Sequence, residues 1–216
     1  MAERTTIRGA AGSIEVASDL PAAAPIAVSV IAHPHPLYGG TMDNKVVTTI
    51  ERAMREQGAA TYRFNFRGVG ATEGVHDNGH GETDDTVTVI EHARAAHLGL
   101  PLWLAGFSFG GAVAALASNR VDFDRLILVA PGFRRVAAGG METPIDPADA
   151  SLGPPGRHSF ENTLIVHGDL DDTVPLSDSI AWATAREVNV VVIAGGEHFF
   201  HRKLHPLRDA VARGVR

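Results

Sequence analysis

The sequence predicts an α/β fold with a mostly parallel central sheet, helices on both faces and no large cap domain. Three observations predict it. Six short apolar runs alternate with amphipathic segments along the chain. Most of these runs are continuously apolar, which is how strands buried on both faces of a parallel sheet read. Glycine- and histidine-bearing polar motifs follow several runs at their C-terminal ends, where open α/β sheets bind ligands.

The elements follow in order. TTIRGA and GSIEVAS, near the start, read as a hairpin at one sheet edge, with MAERTT before it as a frayed end. The six runs are IAVSVIA (26–32), ATYRFNF (60–66), PLWLAGF (101–107), RLILVAP (125–131), TLIVHGD (163–169) and NVVVIAG (189–195). Over 45–57, Val46, Ile50, Ala53 and Met54 share one helical face, and Gly58 stops the helix. Over 82–98, Val87, Ile90 and Ala93 recur at helical spacing. Further helices are expected from ALASNR, SDSIAWATAREV and LHPLRDAVARG, and the tail GVR reads as frayed. Strand–helix alternation of this kind implies right-handed crossovers.

The 216 residues suit one domain, 1–216, with a sizeable core. A net charge of −6 and the lack of a basic run argue against a nucleic-acid partner and an anionic membrane surface. No cysteine is present, which excludes disulfides and thiol nucleophiles. MAERTTIRGAAGSIEVASDL carries no apolar signal-type core, so a cytoplasmic protein is expected. Oligomeric state is not legible.

The chemistry gathers at the strand ends. LAGFSFGG (104–111) runs an apolar strand through Gly106-Phe107-Ser108-Phe109-Gly110 into a helix, the context of a nucleophile elbow. A tight turn there strains the serine backbone and projects its hydroxyl into the crevice. The alternative is a serine that merely caps the helix. A serine nucleophile needs a base, and the base needs an orienting acid. GGEHFFH offers His198 and His201, and GDLDD offers Asp169, Asp171 and Asp172.

The motifs HPHPLYGG, FNFRGVGATEG, GFSFGG, GDLDDTVP and EHFFH together resemble those of the α/β-hydrolases, specifically small bacterial serine hydrolases without a lid. The likeness runs along nearly the whole chain and does not name a substrate. It implies a triad of Ser108, Asp171 and His198. The family's acid loop, G-x-x-D-x-x-V-P, aligns with Gly168, Asp171, Val174 and Pro175, which makes Asp169 and Asp172 surface or loop-capping residues. His201 would then open the last helix.

The oxyanion hole is expected from the Phe109 N–H at the helix start and a second N–H in HPHPLYGG. Pro34 and Pro36 lack the donor, leaving His35, Leu37 and Tyr38. Alignment with the family's His-Gly loop favours His35, with Leu37 next, although Pro34 stands where that glycine usually is. Tyr38, Phe107 and Phe199 are expected in the substrate pocket.

The expected reaction is cleavage of a small-molecule carboxylic ester through an acyl-serine, with no cofactor. The same triad would serve a peptidase or thioesterase, and the same scaffold a non-catalytic binding protein. Eleven histidines invite a metal reading, but His33/His35 and His76/His80 lack the companions of known metal motifs, so none is expected. His33 reads as a loop-ordering hydrogen bonder. RGVGATEG reads as a tight turn, with Arg67 in a structural salt bridge. The family usually has an Asp where Asn65 stands, two residues before it. Segment 132–162, rich in Gly and Pro, is expected to be an irregular loop along one wall of the site.

Overall fold

The apolar runs form six neighbouring strands of one eight-stranded sheet, ordered β1-β2-β4-β3-β5-β6-β7-β8, with the last run, NVVVIAG, as a largely exposed edge strand, in a computed structural model that describes residues 2–136 and 161–216. β1 (Glu3–Gly9) and β2 (Gly12–Asp19) make the expected hairpin, and β2 pairs antiparallel with β4 (Ala59–Phe64). β3 (Ala27–Ala32), β4, β5 (Leu102–Phe107), β6 (Arg125–Val129), β7 (Thr163–Gly168) and β8 (Asn189–Ile193) pair in parallel.

Period-two alternation sends neighbouring residues of each strand to opposite faces. In β3, Val28, Val30 and Ala32 join one core, and Ala27 and Ile31 the other. Both faces are buried, so the run has no polar alternation. The first core is covered by α2 (His80–Ala96), α3 (Phe109–Ala117) and α4 (Leu176–Thr184). The second lies beneath α1 (Lys45–Glu56) and α5 (Leu204–Gly214). α1 buries Val46, Ile50, Ala53 and Met54, the four residues its periodicity selected.

Both ends depart from expectation. MAERTT does not fray throughout, because β1 already begins at Glu3 and pairs with Ser18. GVR is also anchored: Val215 is buried, and Arg216 donates from Nε to Gln57 Oε1 at 3.0 Å. His201 does not open the last helix. It sits in the exposed turn before α5, paired with Glu197. Most of segment 132–162 lies outside the described residues.

Two polar contacts fix the loops that floor the site. Arg67 grips the buried Asp85 with two bonds of 2.9 Å, the expected structural ion pair. Asn65 instead ties the loop after β3 to β2, accepting from Met42 N–H at 2.9 Å and donating to Glu15 at 2.7 Å.

Candidate active site

The elbow is built by close backbone approach. Ser108 follows β5 directly and has φ +56° and ψ −121°, a region costly for any residue with a Cβ. The surroundings over-determine it. Its N–H donates to Val129 O at 2.9 Å, and its carbonyl accepts from Gly111 and Gly132 N–H at 2.9 and 2.8 Å. The flanking glycines are needed for space: a Cβ on Gly106 would strike the Gly110 carbonyl, and one on Gly110 would strike the carbonyls of Ala32 and His33.

Three strand ends meet here. His198 Nε2 lies 3.0 Å from Ser108 Oγ, and His198 Nδ1 lies 2.7 Å from Asp171 Oδ2. The other carboxylate oxygen, Oδ1, accepts from the N–H groups of Thr173 and Val174 at 2.9 and 2.8 Å. With Nδ1 facing a carboxylate, the imidazole keeps its hydrogen there and offers Nε2 as an acceptor. The contacts thus give a hydroxyl a path for its proton and give the resulting cation a counter-charge.

Burial of Asp171 would raise its carboxyl, but hydrogen bonds from His167, His198 and the Val174 N–H outweigh that and hold it well below the usual carboxylate range. Asp169 and Asp172 do not reach the imidazole by any hydrogen bond. Asp169 accepts from Gly195 N–H at 2.6 Å, and Asp172 from the Thr173 hydroxyl at 3.2 Å.

His167 has no place in the reading of the sequence, yet it stands behind the aspartate. It is fully buried at the end of β7, with Nε2 3.3 Å from Asp171 Oδ2 and 3.0 Å from Val174 O. Its Nδ1 faces Ser179 Oγ at 2.7 Å. The available signal was a polar residue near the end of a buried strand, four positions before the acid.

The aromatic expectations divide. Tyr38 and Phe199 line a cavity of about 170 Å³ together with Ser108, His198 and His35. Phe107 does not line it, contrary to expectation. Its side chain points into the core beneath α1 and α5, is fully buried, and its ring packs 5.0 Å from that of His198. It supports the imidazole from behind.

Among the candidate N–H donors, Phe109 is the first residue of α3 and has no partner within the helix. Leu37 N–H is directed to His35 Nδ1 at 3.3 Å and Tyr38 N–H to His35 O at 3.2 Å. The Leu37 side chain is exposed. Burial first, then the nearby charges of His76 and Arg135, lower the His35 pKa to about 4.

His33 orders the loop from below. Its Nε2 accepts from Phe66 N–H at 2.9 Å, and its Nδ1 donates to Pro34 O at 2.6 Å. Both nitrogens are thereby occupied. Burial lowers its pKa to about 4 from 6.5. A lowered folded pKa means the unfolded chain takes up the proton first as pH falls. The stability is therefore complete above about pH 6.5 and is lost as pH falls toward about 4. Between pH 7 and pH 5 this group should cost about 2 kcal/mol. His33→Gln, which keeps an acceptor for Phe66 and cannot protonate, should flatten the pH dependence of the urea midpoint over that range. An unchanged slope would place the dependence elsewhere. Among the described residues, no group of three or more His, Asp or Glu side chains is placed to hold a metal ion.

The fold is that of the α/β serine hydrolases built without a lid domain. The sequence matches the family described as serine aminopeptidase, S33, over residues 32–146, just over half its length, and the chain belongs to that family. An α/β serine hydrolase of Xanthomonas campestris, described as having no lid, is 36% identical, with a TM-score of 0.87 over 100% of this chain and 94% of its own. An α/β serine hydrolase homologue of Coxiella burnetii is also 36% identical, with a TM-score of 0.84 over 99% of this chain and 97% of its own. An uncharacterized protein of Rickettsia prowazekii is 30% identical over 194 residues, 85% of this chain and 76% of that protein. No helix among the described residues is long and apolar enough to cross a membrane.

Proposed function

We propose that this protein hydrolyses small carboxylic esters through a covalent acyl-serine. Ser108 attacks the carbonyl carbon while His198 takes its proton and then delivers it to the departing alcohol. Asp171 orients the imidazole and stabilises its cation. The Phe109 and His35 N–H groups hold the oxyanion, because the Leu37 and Tyr38 donors are already directed to His35. Water then repeats the attack on the acyl-serine with His198 as base. The observation that carries this reading is the unbroken contact chain from Ser108 Oγ to Asp171 Oδ2.

The family's description raises aminopeptidase action. A substrate with a free amino terminus calls for a carboxylate on the cavity wall. The described wall has none, and its one formal charge is that of Arg135. Esters therefore fit better than amino-terminal peptides.

The cavity, about 170 Å³, is below the roughly 300–1,000 Å³ of drug-sized ligand sites, which favours short acyl groups. Nitrophenyl acetate and butyrate should be cleaved with simple saturation, and kcat/KM should fall at least about tenfold by the decanoate. A rise with chain length, or a jump in rate once an emulsion forms, would overturn the short-ester reading.

A further inference from the structure

We infer that Arg135 selects substrates carrying a second, anionic group, and that the preferred ester is a half-ester of a short dicarboxylic acid. This rests on the function proposed above, since Arg135 selects a substrate only if Ser108 is the nucleophile.

Two arginines stand side by side on the turn after β6, and they are treated differently. Arg134 is neutralised: its guanidinium grips the buried Asp178 with bonds of 2.8 and 3.1 Å. The Arg135 guanidinium has no ion pair or hydrogen bond among the described residues. It lines the same cavity as Ser108 and His198. The cavity wall holds no described carboxylate. A cation with no counter-charge among the described residues, beside Ser108 in a chain of net charge −6, is not explained by the general acidity of the surface.

The backbone of this turn is fixed, although the Arg135 side chain is exposed. Phe133 is fully buried, and its ring stacks on that of Trp182 at 5.4 Å with the planes 9° apart. The Gly132 N–H donates to the carbonyl of Ser108 itself at 2.8 Å, and Arg135 N–H donates to Gly132 O at 2.8 Å. The backbone of Arg135 is therefore two hydrogen bonds from the backbone of the nucleophile. Arg135, Thr173 and Val174 also border an adjoining hollow of about 200 Å³, so Arg135 stands at the junction of the two spaces. A short acyl chain attached to Ser108 would point its far end toward one of these walls. A carboxylate there would meet a planar fork of donors suited to binding it with two bonds. The described carboxylate bordering these spaces, Asp178, is already paired with Arg134.

The test compares the nitrophenyl half-ester of glutaric acid with the neutral nitrophenyl pentanoate. The wild-type protein should favour the anionic ester in kcat/KM. Arg135→Gln should lower the ratio of anionic to neutral kcat/KM by roughly 10–100-fold, mainly through KM of the anionic ester. Arg135→Glu should lower it further. A ratio unmoved by either substitution overturns the inference.

A turnover-free arm separates the two levels. Glutarate binding to the Ser108→Ala protein, followed by calorimetry, should weaken by a similar factor when Arg135→Gln is added. Binding that is absent, or indifferent to Arg135, overturns the inference even where esters are cleaved. Binding that depends on Arg135 without any ester cleavage sinks the hydrolase reading and leaves the anion site standing.

Discussion

Replacing Ser108 with alanine should abolish labelling by a fluorophosphonate probe and lower kcat on short nitrophenyl esters by roughly 10⁴-fold or more. The size follows from what is lost. Without the hydroxyl no acyl-enzyme forms, and only oxyanion stabilisation and binding remain to assist attack by water. The fold should survive. Alanine retains the backbone N–H that bonds Val129 and the carbonyl that accepts from Gly111 and Gly132. Its side chain is smaller than the buried serine it replaces. Circular dichroism and the urea midpoint should therefore match wild type. Labelling that persists in this variant would move the nucleophile elsewhere, and a wild-type protein that is never labelled would favour a binding role on a hydrolase scaffold.

The three aspartates of the loop after β7 should separate as sharply. Asp171→Asn is expected to cost about 10⁴-fold in kcat. The amide nitrogen can face His198 Nδ1 and force its hydrogen onto Nε2, where it would meet Ser108 Oγ and leave no base. It also removes the charge that steadies the imidazolium. The same change at Asp172 alters an exposed residue that accepts from the Thr173 hydroxyl, and at Asp169 a cap on Gly195 N–H. Both variants should stay within about tenfold of wild type, because neither atom touches the imidazole. Equal activity in all three would remove Asp171 from its assigned role.

Where the sequence was legible, the reason was local. The central strands could be read because burial on both faces suppresses polar alternation, as β3 shows. The elbow could be read because its two glycines answer a steric demand that no other residue meets. Asp171 and His198 needed more than spacing. Three aspartates and two histidines compete within two short loops, and only family resemblance favoured the pair that proved to be in contact.

The residues that escaped are those whose surroundings come from distant segments. Phe107 looked like a pocket residue because it adjoins Ser108. The alternation of β5 turns it to the opposite side, under the imidazole. His167 was hidden inside an apolar run, and its partners lie on the loop and helix that follow. Arg135 is distinguished from Arg134 only by the direction of its side chain, which composition and periodicity do not encode. His201 lies in a turn ahead of α5, where it pairs with Glu197, a local contact that helical spacing does not reveal.

The contact between His198 and Ser108 joins residues 90 positions apart. Hydrogen bonds within helices form long before a loop of that size has closed, and closure comes only once the parallel strands β5 to β8 have aligned. In refolding, helical circular dichroism should therefore return ahead of probe labelling. Labelling would then serve as a clock for completion of the sheet, reporting the last long-range pairing where ellipticity reports the first local ones.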